Sequence, residues 1–214
     1  AELSRLLDRL ARLTALFEQP AEFIRELRLL CEAYADPTFR SGQPLIPSYR
    51  IPQLVLRRLE LELTVASRTH PEQSLAVVDR LWAETCLEPR MLAVHLLGQI
   101  PLSQAEGILE RLREWASPAE DNQMLEALFT RGTARLRAEG PDVLLDLFTE
   151  WISSANVPMR ILGLKALHSL IVDPGYENLP PLFNLLFPLV SAAPQNLFND
   201  LSALLTALAQ RAPS

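Results

Sequence analysis

The chain has 214 residues, 49% of them apolar, and a net charge of −6. That apolar share supports a core and excludes a disordered chain. The acidic balance excludes coating nucleic acid by bulk charge and leaves only a local arginine stripe for phosphate. Seven glycines against 17 prolines, with few β-branched alternations, favour proline-punctuated helices over sheets. Lys165 is the single lysine among 20 cations, and net charge is −1 over residues 1–100 but −5 over 101–214.

Residues 2–17 set Leu3, Leu6, Leu7, Leu10, Leu13, Leu16 and Phe17 on one helical stripe, with arginine and aspartate opposite. Pro20 opens a second helix to about residue 34, with Phe23, Ile24, Leu27, Leu30 and Cys31 inward. The stretch 36–46, DPTFRSGQPLI, carries two prolines and a glycine and reads as a long loop, either functional or mobile. Pro47-Ser48-Tyr49-Arg50 is expected to open a helix to about residue 67. Its Arg50, Arg57 and Arg58 form either a solvated face or a second basic surface. Pro71 opens the next helix, with Leu75, Val78, Leu81 and Trp82 on one face. A turn at Glu88-Pro89 leads into 90–99, where Pro89 suits the first turn and Gly98 and Pro101 close the unit.

Beyond that point the chain repeats. Ser103 caps a helix to about Trp115, and a helix over 119–138 pairs with it. Gly140-Pro141-Asp142 opens a helix through Trp151, and its partner covers 158–172. The last pair covers 178–192 and 195–211. Pairs start near 71, 103, 140 and 178, and the second helices Arg90-Met-Leu-Ala-Val-His-Leu-Leu and Arg160-Ile-Leu-Gly-Leu-Lys-Ala-Leu match each other. Helix pairs at this period predict an all-α fold, an α-α superhelix or HEAT/armadillo-like solenoid of about ten to eleven helices. It is expected as one domain over 1–214, with 1–46 as N-terminal helices and loop and 47–211 as hairpin repeats. The concave side is the expected binding surface.

Glycine-rich phosphate loops, nucleophile elbows and His/Cys metal spacings are absent from the sequence, so neither cofactor nor metal is expected. His95 and His168 occupy matching repeat positions, which packing or surface placement explains better than a metal. Cys31 and Cys86 read as reduced core thiols. No leader segment is read, and no apolar run reaches about 18 residues without a charge or proline, so a cytoplasmic protein without a membrane span is expected. Trp82, Trp115 and Trp151 lie near the ends of first helices. They read as packing residues at the hairpin corners, or as candidates to stack a base. Arg160, at the start of a second helix, is either solvated or aimed at a phosphate.

Pro47-Ser-Tyr-Arg50, Leu81-Trp82 and Glu88-Pro-Arg-Met-Leu-Ala-Val-His-Leu-Leu97 together resemble the DNA alkylation repair enzymes, the AlkD-like HEAT-repeat glycosylases. Trp151 to Leu167, with Pro158-Met-Arg160-Ile-Leu-Gly, is similar to the arginine-bearing repeat of that family. The resemblance covers roughly residues 40–211 and is strongest at 81–97. It implies a cleft for alkylated duplex DNA, in which two tryptophans pack around the damaged nucleotide without flipping it. An aspartate there stabilises the cationic sugar and an arginine holds the backbone. Carried over by position, the arginine is Arg160 and the carboxylate is Glu126, with Asp121 as substitute one register away. Asn122 and Leu204 stand where the tryptophans would be. A nucleic-acid-binding relative with weak or no excision is therefore implied. The alternatives are a protein-interaction scaffold, suggested by the acidic second half, and an active glycosylase using Glu126 and Arg160.

Overall fold

The computed structural model describes residues 2–36, 46–192 and 195–211. The loop expected over 36–46 lies, apart from its two ends, outside the described residues. Those residues form twelve α-helices and two short 3-10 turns and contain no strand, so the fold is all-α. The chain divides into two compact units, Ala1–Ile108 and Leu109–Ser214.

The first unit holds α1 (Glu2–Ala15), α2 (Pro20–Tyr34), α3 (Gln53–Thr69), α4 (Pro71–Trp82) and α5 (Leu87–Leu97). Helix α1 packs on α2 and α3, α2 on α4, and α5 on both α3 and α4. The core is the leucine stripe read from the sequence: Leu10, Leu13, Leu27, Leu59, Leu63, Leu81 and Leu96 are buried, with Phe17 edge-on to Phe23 at 5.8 Å. Each such side chain contributes about 1.5–3 kcal/mol of transfer free energy.

Helix α3 begins at Gln53 rather than at Pro47. Two causes act together. Pro52 disfavours a helical Ile51 and supplies no N–H to an earlier turn. Glu88 then offers the 48–50 backbone a better partner than a helix would. Its carboxylate, 6% exposed, accepts the Ser48 hydroxyl at 2.7 Å and the Tyr49 and Arg50 N–H groups at 3.0 and 2.7 Å. The Leu87 N–H donates to the Pro47 carbonyl at 2.8 Å. Arg50 takes φ +59°, a conformation costing about 1–2 kcal/mol that these bonds offset. Glu88 and Pro89 accordingly lie in the first turn of α5 rather than in a turn before it. Trp82 ends α4 and carries the Arg90 guanidinium 4.1 Å above its ring.

The division between units falls inside α6 (Ala105–Trp115). The second unit continues with α7 (Asn122–Thr130), α8 (Ala134–Glu139), α9 (Pro141–Ile152), α10 (Val157–Ile171), α11 (Pro180–Ala192) and α12 (Phe198–Arg211). Helix α10 is its centre, packed on α9, α7 and α12. The helix expected over 119–138 is broken into α7 and α8 around Gly132. Side chains terminate α7 there: the Arg137 guanidinium donates to the Phe129 and Thr130 carbonyls at 2.8 and 2.6 Å, and the Thr133 hydroxyl also donates to Phe129. Carbonyls satisfied in this way have no need of a continuing helix. Gly163 lets α10 approach α9, because a Cβ there would lie 2.9 Å from the Ile152 backbone nitrogen.

Candidate functional site

Within the second unit, α7, α10 and α12 line a cleft of about 500 Å³. Helix α7 supplies Asn122, Leu125, Glu126, Phe129 and Thr130. Helix α10 and the residue after it supply Leu164, Lys165, His168, Ser169 and Val172, and α12 supplies Asp200, Ala203 and Leu204. The spacings 122/126/129/130, 165/168/169/172 and 200/203/204 are those of single helix faces. Leu125, Phe129, Leu164 and Leu204 are buried and make an apolar floor. Asn122, Glu126 and Lys165 are exposed at the rim. The Lys165 ammonium donates to the Asn122 side-chain oxygen at 3.0 Å, linking α10 to α7. The described lining residues include two carboxylates, Glu126 and Asp200, and one ammonium, Lys165.

Two arginines hold the C-terminal ends of these helices together. Besides closing α7, Arg137 donates through Nε to Asp173 at 2.7 Å, just past the end of α10. Arg211, the last residue of α12, donates to the carbonyls of Ile171 and Asp173 at 3.0 and 2.7 Å. Cations at helix C-termini also meet the negative end of the helix dipole. Burial alone would raise the Asp173 pKa. The hydrogen bonds from Arg137 and the Gly175 N–H, with the charges of Arg137 and Arg211, outweigh it and hold that pKa below the ordinary 3.8.

The residues singled out by sequence separate clearly. Glu126 lines the cleft, as do Asn122 and Leu204. Asp121 is the N-cap of α7, accepting from the Gln123 and Met124 N–H groups at 2.8 and 3.2 Å. Arg160 stands in the first turn of α10, half-buried, with its Nε buried and unbonded, and is not a lining residue. Trp115 and Trp151 are 4% and 5% exposed, and Trp151 packs 5.8 Å from Phe148 and 6.1 Å from Phe129. Both rings belong to the core and offer no open face to a base. Arg50, Arg57 and Arg58 lie in the first unit, where Arg58 pairs with Glu62 at 2.6 Å. The two repeat-matched histidines diverge: His95 meets the Thr64 hydroxyl at 3.0 Å, while His168 lines the cleft. Cys31 is buried and Cys86 half-buried, both unbridged, and burial with nearby Glu88 pushes the Cys31 thiol up to about 12.

Sequence reasoning missed Lys165, His168 and Asp200. A signal for Lys165 was present: residues 126, 165 and 204 are spaced 39 apart, one repeat period each.

The sequence profile of the DNA alkylation repair enzyme family matches residues 48–200. The chain belongs to that family. No curated protein and no solved structure matches it. The matched span of this alkylation-repair family member includes Asn122, Glu126, Lys165 and Asp200, and Leu204 lies four residues beyond it. Among the described residues, no group of three or more His, Cys, Asp or Glu could hold a metal ion, and no helix is long and apolar enough to cross a membrane.

Proposed function

We propose that this member of the DNA alkylation repair family binds nucleic acid at the α7–α10–α12 cleft, with weak or no base excision. One observation carries the reading. The positions that the family pattern assigns to the carboxylate and the two aromatic walls are Glu126, Asn122 and Leu204, and all three line the same cleft. Asn122 and Leu204 cannot stack, and an aromatic platform is worth about 1–3 kcal/mol per base. Glu126 is one methylene longer than aspartate, which displaces a charge whose catalytic value depends on close placement. An electrophoretic shift of duplex DNA at low and high salt tests the binding. The expected result is a shift at low salt that weakens at high salt, and its absence at low salt removes the reading. Release of methylated purine from alkylated duplex is expected to be slow or undetectable. Any release unaffected by Glu126→Gln removes that residue from the chemistry.

The cleft charge favours a second reading. Two carboxylates against one ammonium suit a cationic ligand, so a basic segment of a protein partner would be held there. Titration with an arginine-rich peptide separates the two: peptide binding that duplex DNA fails to displace supports the scaffold.

A further inference from the structure

The single lysine of the chain lies in the cleft, with carboxylates from two other helices lining the same space. A guanidinium cannot form an imine, so among the 20 cationic side chains only Lys165 has a primary amine able to attack an aldehyde. Asn122 and Leu204 offer no aromatic faces to a base, and the aromatic groups among the lining residues are Phe129, buried in the floor, and the half-buried His168. A nucleotide that has lost its base needs no such faces, and its ring-opened sugar presents an aldehyde.

We propose that the cleft cleaves DNA at abasic sites, with Lys165 as the nucleophile. This rests on the nucleic-acid reading above. Glu126 or Asp200 first takes a proton from the Lys165 ammonium. The neutral amine adds to the sugar C1′, and the resulting hydroxyl leaves as water with that proton, giving a protonated imine and freeing the carboxylate. A carboxylate, Glu126 or Asp200, takes a proton from C2′. The electron pair of that C–H bond forms the C2′–C3′ double bond, and the C3′–O bond breaks, expelling the downstream strand as its 5′-phosphate. Water then hydrolyses the conjugated imine, returning the amine and leaving an unsaturated aldehyde on the upstream 3′ end. No oxidant or reductant is consumed. Asn122 positions the amine, holding Nζ at 3.0 Å from its side-chain oxygen.

The test uses a duplex with one abasic site, made by removing uracil from a defined position, incubated with the full chain and sodium borohydride. Reduction of the imine is expected to give a protein–DNA adduct stable on a denaturing gel, with the modification on Lys165 by peptide mass spectrometry. Lys165→Arg is expected to abolish the adduct. Lys165 is exposed, so the variant is expected to keep the native thermal transition. Without borohydride, the variant that removes the base, Glu126→Gln or Asp200→Asn, is expected to slow strand cleavage about a hundredfold while imine trapping persists. An adduct located on another amine, or one surviving Lys165→Arg, overturns the proposal. So does binding of duplex without any trapping, which leaves the nucleic-acid reading standing. Failure to bind any duplex overturns both.

Discussion

Asp173 shows how much of the cleft depends on residues outside it. Its carboxylate joins Arg137, which closes α7, to the end of α10, and Arg211 of α12 reaches the same turn. Asp173→Asn keeps an acceptor for the Gly175 N–H at 2.9 Å but removes the charge facing Arg137. Because the pair is partly exposed to solvent, the expected loss at pH 7 is about 1 kcal/mol. The folded-state pKa is depressed, so the contribution is fully present above 3.8 and is lost as pH falls through the lower folded value. The difference between wild type and Asp173→Asn in urea midpoints is therefore expected at pH 7 and to vanish in acid. A difference that persists unchanged below pH 3.8 would assign the effect to packing instead. None of this was legible from sequence, because Arg137 and Asp173 are 36 residues apart and each alone reads as a solvated charge. Glu88 was obscure for the same reason. It stands beside a proline in a turn-like motif, and only folding brings Ser48, Tyr49 and Arg50 to it.

At the scale of elements, periodicity carried most of the information. Leucines at helical spacing marked α1, α2, α4, α9 and α10 close to their observed limits. Errors arose where a side chain from elsewhere competes for the backbone: Glu88 ahead of α3, and Arg137 with Thr133 after α7. The small residue three positions after Arg90 and Arg160 was also legible as a repeated feature, and Gly163 shows its use. On helix propensity alone, Gly163→Ala would stabilise an exposed helix by about 1 kcal/mol. Here the new methyl would meet Ile152 Cγ1 at 2.8 Å and its backbone nitrogen at 2.9 Å, and a backbone cannot rotate away as a side chain can. Overpacking of this kind costs about 1–3 kcal/mol. The substitution is thus expected to lower the urea midpoint and to loosen α9 from α10, seen as faster amide exchange in both helices. A raised midpoint would mean that the two helices have room to spare.

At the scale of the whole molecule, the 39-residue spacing of positions 126, 165 and 204 was visible in the sequence, whereas the helices' shared cleft was not. The resemblance puts the backbone-holding cation at Arg160, whereas the cation lining the cleft is Lys165, five residues further along α10. Charge then bears on the proposed binding of DNA. Residues 101–214 carry a net charge of −5. Several of their arginines are committed within the second unit: Arg113 to Glu150, Arg135 to Glu139, and Arg137 and Arg211 to Asp173 and helix carbonyls. Few cations there can neutralise phosphates. Each phosphate contact contributes about −0.9 to the slope of log affinity against log salt, so a slope of about −2 to −3 is expected. Arg160→Ala is expected to make it shallower by about one, as loss of a single phosphate contact does. Fluorescence anisotropy of a labelled duplex across a salt series measures both numbers. A slope steeper than about −5 would require more free cations than the second unit carries and would move the phosphate contacts to the first unit, where Arg57 and Arg58 stand exposed on α3.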